Sequence, residues 1–320
     1  FITDPALRDE LQGGLQRVES RLAAAVKSSY PFVTETSAHL VEAGGKRFRP
    51  LMTLLCAGLG DSDRDDVVAA ATVVELTHLA TLYHDDVMDE APMRRGRPSA
   101  NTRWDNSVAI LTGDFLFSRA SDILADLGPE AVRIQARTFE RLVTGQIRET
   151  VGPADGQDEV EHHLQVLADK TGSLIATSAQ FGAMFAGCDE TIIDTVTRYG
   201  ERIGVAFQLA DDLVDLTSDS AHSGKTPGTD LKEGVPTLAA LLVLQQGGDE
   251  RLLEMLARPL SDDEVGTALD LLRAHPALQE ARAVARQWAD DARACLAPLP
   301  AGSARDGLAS VCDYVVNRTG

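Results

Sequence analysis

His84-Asp85-Asp86-Val87-Met88-Asp89 closes an apolar run that begins near Val67, and Asp211-Asp212-Leu213-Val214-Asp215 closes a second one far downstream. Both placements predict a long apolar helix with an acidic mouth. Residues four apart share a helix face, so Asp85 stands beside Asp89 and Asp211 beside Asp215. Like charges so placed repel, weakly in water and far more strongly in a pocket.

A hard divalent cation compensates such a pair. Magnesium fits because it takes oxygen ligands and is usually held by one or two carboxylates plus substrate phosphates. Two facing carboxylate pairs would grip a diphosphate through shared metal ions, with Arg94 and Arg95 adding direct positive charge. A single D-D-x-x-D in an acidic chain is more often a solvated face. Here there are two, one followed by the arginine pair and the other by the Gly-Lys-rich stretch 224–234.

The 320 residues carry a net charge of -19, with 44% hydrophobic and 5% aromatic residues. Alanine and leucine runs throughout predict a helix-rich globular protein, and nothing in composition marks a linker, so 1–320 reads as a single domain. The acidic balance excludes nucleic acid as a partner, since no basic stripe is present to displace counterions. Cys56, Cys188, Cys295 and Cys312 form no C-x-x-C pair, which argues against zinc and fits reduced thiols in a cytoplasmic protein. No uncharged apolar run reaches transmembrane length. The chain opens on Phe1 rather than methionine, which is compatible with a leader upstream.

Leu7, Leu11, Leu15, Val18, Leu22 and Val26 recur at helical spacing, giving an amphipathic first helix whose partner is either the core or another subunit. Gly44-Gly45 precedes Lys46, Arg47 and Arg49, with Pro50 placed to open a helix through Leu55. Three cations after two glycines make either an anion seat or an exposed basic turn. A helix over 66–90 carries Glu75, His78 and the first aspartate cluster. Residues 92–98 hold too many breakers to be helical. Helices follow at 108–127, 129–150, 159–186 and 191–217, with Lys170-Thr171 in mid-helix, where a lysine on the buried side needs an anion. Residues 218–236 read as one long irregular loop, followed by helices at 237–246, 262–274, 276–296 and 304–316. No strand-length alternation is found.

Read in order, Gly44-Gly45-Lys46-Arg47-Phe48-Arg49-Pro50, Glu75 with His78, the Asp85 cluster, Arg94-Arg95-Gly96, Thr112-Gly113-Asp114, Gly145-Gln146, Lys170-Thr171, Phe207-Gln208, the Asp211 cluster and Gly224-Lys225 resemble the all-E isoprenyl diphosphate synthases, or polyprenyl synthetases. The resemblance spans nearly the whole chain. It implies an all-α, isoprenoid-synthase-type helical bundle around a central cavity, usually a homodimer. It also implies that Asp85, Asp89 and Asp211 hold magnesium, about three ions with substrate bound, with Asp86, Asp212 and Asp215 in support. By the same similarity Arg94, Lys170 and Lys225 contact an allylic diphosphate primer, and Lys46, Arg49, His78 and Arg95 bind isopentenyl diphosphate. One departure stands out: many relatives have a lysine where this chain has Val235, so an allylic contact is missing or Lys232 replaces it.

The chemistry that the resemblance implies also follows from the residue types. Breaking an allylic C–O bond puts negative charge on the leaving diphosphate, which metals and cations stabilise. The carbocation left behind must be kept from water, and the Thr171 hydroxyl and Gln208 amide oxygen can lend it partial negative charge. Residues four, five, eight and eleven before Asp85 are Thr81, Ala80, Thr77 and Val74. None is bulky, which predicts a medium or long product of roughly six to ten isoprene units at one unit per helical turn. On this reading Ala80→Phe shortens the product. The alternatives are a short-chain farnesyl or geranylgeranyl diphosphate synthase, a class I terpene cyclase or head-to-head synthase, and a non-catalytic subunit of a heteromeric synthase. The Lys46 seat argues against a cyclase, which has no second diphosphate to bind.

Overall fold

The computed structural model describes residues 2–217 and 228–318. They form α1 (Pro5–Ala25), α2 (Pro31–Glu42), α3 (Phe48–Ala57), α4 (Asp65–Met88), a hairpin of β1 (Met93–Arg94) and β2 (Arg97–Pro98), α5 (Ala100–Arg103), α6 (Asn106–Leu127), α7 (Pro129–Val151) and α8 (Glu159–Leu167). A π-helical turn (Ala168–Gly172) leads into α9 (Ser173–Phe185) and α10 (Glu190–Thr217). The described chain ends with α11 (Thr229–Glu233), α12 (Leu238–Gln246), α13 (Glu250–Leu256), α14 (Asp262–Ala274), α15 (Pro276–Cys295) and α16 (Ser303–Asn317). The fold is all-α, as expected.

Helix α4 is the central element. It is apolar on every side rather than along one stripe, which is the pattern of a helix enclosed by others. From Val67 to Leu79 all but His78 are buried, against α3, α6 and α9. By length and composition α4 could cross a membrane, but 78% of its most apolar window is covered by the rest of the chain. Helix α1 buries Leu7, Leu11, Val18 and Leu22 against α3 and α4, so its partner is this chain's own core. Each such leucine contributes about 1.5–3 kcal/mol. A second apolar cluster joins the lower half of α10 to α12–α15, and Trp288 packs against both clusters.

Several boundaries differ from the sequence reading for physical reasons. The helix expected over 159–186 is interrupted by the π turn, where an extra residue per turn shifts the phase of everything that follows. Pro50 lies inside the first turn of α3 rather than opening it, because Arg47 adopts a left-handed φ of 48° and starts the helix earlier. The breaker-rich stretch after Pro92 forms a two-residue hairpin, whose central Arg95 and Gly96 both have positive φ (52° and 74°), as a tight twisted turn requires. Part of the expected long loop is helical, at Thr229–Glu233, and α13 was not anticipated. All four cysteines are free.

Candidate active site

The C-terminal ends of α4 and α7 and the π turn come together around the first aspartate cluster. Gly145 of α7 permits this, since a Cβ there would stand 2.6 Å from the Lys170 backbone nitrogen. Lys170 Nζ donates to Glu149 Oε2 at 2.6 Å and faces Asp85 and Asp89. Those three carboxylates hold the Lys170 ammonium above its ordinary range despite its burial. Lys170 therefore lies on the buried side and has its anions. Glu149 is a site residue that the sequence reading missed; it sits three residues after Gln146 and so shares a helix face with it.

Burial pushes the Asp85 carboxyl up to about 6, Lys170 opposes the shift and Asp89 adds to it. Asp86 has no exposed surface; its Oδ1 accepts from Arg94 at 2.7 and 2.6 Å, while its Oδ2 is buried without a partner. Arg94 is thus tied to the base of the cluster. The hairpin turn aims Arg95 the other way, so that its guanidinium donates to the carbonyls of Leu40 and Gly44 and lies 3.9 Å from Glu75. The left-handed φ at Arg95 is strain held at a functional position.

The next residue of the π turn serves the second cluster. Thr171 Oγ1 donates to Gln208 Oε1 at 3.3 Å, and Gln208 Nε2 donates to Asp212 Oδ1 at 2.9 Å. Burial, with Asp230 and the neighbouring Asp211 and Asp215, pushes the Asp212 carboxyl well up. Asp230 also donates its backbone N–H to Asp215 Oδ2 at 3.4 Å, an approach that the sequence reading did not foresee. Asp211 is approached by Lys46 at 3.8 Å and by Arg318 at 2.6 Å, and the Arg318 guanidinium stacks over Phe207. Adjacent residues, Lys170 and Thr171, therefore join the two acidic groups.

Lys46, Arg47 and Arg49 divide into three roles. Arg47 is buried and donates to Glu19, Glu75, Val41 O and Gly44 O, so it anchors the loop structurally. Arg49 has a buried Nε without a partner, and its guanidinium is pushed down to about 10 by burial, with Glu75 opposing and Arg95 adding to the shift. Burial and the surrounding arginines push the His78 imidazole well below its usual range, so it stays neutral. Arg49, Arg95 and His78 thus share one cationic recess, while Lys46, 62% exposed, faces Asp211. Lys225 lies outside the described residues.

Among the described residues no three carboxylate, imidazole or thiol groups converge closely enough to hold an ion alone. The donors are nonetheless all oxygen, several carboxyls are driven toward protonation by burial with their neighbours' charge adding to it, and Asp86 keeps an unpartnered buried oxygen. That set fits a magnesium ion whose remaining ligands come from substrate and water.

The four residues expected to line the product tail occupy two sides of α4. At 100° per residue, Val74, Thr77 and Thr81 fall within about 80° of Asp85, whereas Ala80 lies about 140° away. The Ala80 carbonyl is 3.1 Å from where a Cβ on Gly113 of α6 would stand. The α4 backbone therefore passes close to α6 at this level.

Residues 30–272 match the model of the polyprenyl synthetase family. The chain is 47% identical over 321 residues to a nonaprenyl diphosphate synthase of Mycobacterium tuberculosis, covering 99% of this chain and 96% of that protein. It is 42% identical over 317 residues to a dimethylallyltranstransferase of the same organism, covering 98% and 97%. A crystal structure of geranylgeranyl pyrophosphate synthase from Corynebacterium glutamicum, complexed with calcium and isoprenyl diphosphate, superposes with a TM-score of 0.88 at 42% identity and covers 100% of this chain and 99% of that one. With the family model matching most of its length and these relatives spanning nearly all of it, the chain belongs to the polyprenyl synthetase family.

Proposed function

We propose that this prenyltransferase condenses isopentenyl diphosphate with an allylic diphosphate and repeats the step to give a medium or long all-E polyprenyl diphosphate. The observation that carries the reading is the π turn, which sends Lys170 to the first acidic group and Thr171 to the second. Asp85, Asp89 and Asp211 would hold magnesium, which when bound neutralises charge building on the leaving diphosphate. Lys170 and Arg94 orient that diphosphate, while Arg49, Arg95 and the neutral His78 receive the second substrate. The Thr171–Gln208 pair turns oxygen dipoles toward the developing cation, and the apolar walls of α4 and α7 exclude water from it. The departed diphosphate is placed to take up the proton lost on elimination.

Small residues below Asp85 and the likeness to a nonaprenyl diphosphate synthase support a product of roughly six to ten units at one unit per helical turn. A geranylgeranyl-length product is the alternative, favoured by the resemblance to the Corynebacterium enzyme. We place the chain in the cytoplasm, as one domain that forms a homodimer. Val143, Ile147 and Val151 form an exposed i, i+4, i+8 stripe on α7, and such apolar stripes mark subunit contacts.

Labelled isopentenyl diphosphate, magnesium and each allylic primer, followed by chromatography of dephosphorylated products, test the reading. Incorporation that stops in excess chelator is expected. Full turnover without divalent metal, or no incorporation with any primer, overturns it.

A further inference from the structure

An extra residue in a helical turn persists only where its surroundings hold it. In the π turn, the residue just before Lys170 and Thr171 supplies the hold. The Asp169 side chain is 8% exposed, and both of its oxygens are engaged. Its Oδ1 accepts from Arg141 Nε at 3.1 Å, and its Oδ2 accepts from Arg148 at 2.6 Å and from Gln165 Nε2 at 3.0 Å. Arg141, Gly145 and Arg148 follow at i, i+4 and i+7 on one face of α7, so the two guanidiniums flank the glycine that lets the turn approach. A Cβ at Gly145 would stand 3.0 Å from the Asp169 Cβ. Arg141 also donates to Glu201 Oε1 of α10 at 2.6 Å, and a Cβ at Gly204 of α10 would stand 2.8 Å from Gly172 Cα. The turn is thus clamped between α7 and α10. Within it, Ser173 Oγ donates to the Asp169 carbonyl at 2.5 Å.

On the prenyltransferase reading above, we infer that Asp169 is a positioning residue for the allylic diphosphate: braced by Arg141 and Arg148, it fixes the register of the π turn and so aims Lys170 at the first acidic group. Asparagine at this position keeps the shape and loses the charge. Whichever way its amide is turned, the NH2 group meets donors, either Arg141 on one side or Arg148 and Gln165 on the other. One side of the brace is then lost. The turn can slip toward ordinary helical register, in which Lys170 no longer faces Asp85 and Asp89. The recess formed by Arg49, Arg95 and His78 belongs to α3, the hairpin and α4, so the slip leaves it in place.

The test compares wild type, Asp169→Asn, Lys170→Ala and the double variant in steady-state assays that vary each substrate in turn. In Asp169→Asn, kcat/KM for the allylic primer should fall about tenfold, the equivalent of one hydrogen bond to a charged group. KM for isopentenyl diphosphate should stay within about twofold, the range of changes remote from a site. Because Asp169 acts through Lys170, the double variant should be no worse than Lys170→Ala alone. An unchanged allylic kcat/KM, an equal loss toward both substrates, or effects that multiply in the double variant would each overturn the assignment. Arg148→Met, which removes one donor from a half-exposed position, should show the same one-sided loss and carries the test should Asp169→Asn fail to fold. Absence of incorporation by the wild type instead overturns the enzymatic reading, and this inference with it.

Discussion

Replacing Glu75 by glutamine removes one charge and almost no volume from the centre of α4, and its cost can be worked from the surrounding arginines. Glu75 is 1% exposed, accepts from Arg47 at 2.8 Å and lies 3.9 Å from Arg95. It also offsets the burial of Arg49. Removing one partner of a buried ion pair costs about 3–5 kcal/mol, because the remaining charge is stranded. Arg47 keeps Glu19 and two carbonyls, so the lower end, about 3 kcal/mol, applies. At roughly 2 °C per kcal/mol for a chain of this size, Tm should drop by about 6 °C. Urea unfolding of both proteins measures the difference directly. Added inorganic diphosphate should stabilise Glu75→Gln more than wild type, since an anion in the recess replaces the lost charge. A variant within about 0.5 kcal/mol of wild type, the range of ordinary surface changes, would refute the argument. So would diphosphate that stabilised both proteins equally.

Other outcomes follow from the same geometry. Asp85, raised to about 6, binds its proton more tightly folded than unfolded; ionising it therefore lowers stability, a penalty absent below pH ~4 and complete above pH ~6. Metal-free wild type should lose stability as pH rises through that window, and Asp85→Asn should flatten its share of the fall, as read from urea midpoints. Thr81→Phe, on the Asp85 side of α4, should shorten the product by chromatography, and Ala80→Phe, at a fully buried position, should also lower Tm by overpacking, about 1–3 kcal/mol. Val235→Lys, at an exposed position near the second acidic group, should lower the allylic KM; an unchanged KM removes the idea that a contact is missing there.

What the sequence disclosed was local. Asp85 with Asp89, and Asp211 with Asp215, are legible because helical spacing alone places them together. The break after Pro92 and the glycines at 44–45 were legible because breaker chemistry is written in adjacent residues, whereas the hairpin that carries the arginine pair was not. The π turn was not, since an inserted residue leaves an apolar run looking continuous. Nor could spacing show which of Arg47 and Arg49 would be the anchor, because the choice depends on the left-handed backbone at Arg47. Contacts between distant parts were hidden altogether: Gln135 lies 58 residues from Thr77, and Arg318 lies 107 from Asp211.

Because consecutive residues of the Ala168–Gly172 turn look to opposite acidic groups, the register of this short segment is a shared reference for both. Deleting one residue there would restore an ordinary helix with α8 and α9 still nearly in phase, but would turn Lys170 or Thr171 away from its acidic group. No point substitution could repair that loss. The turn should therefore tolerate changes of side chain far better than changes of length.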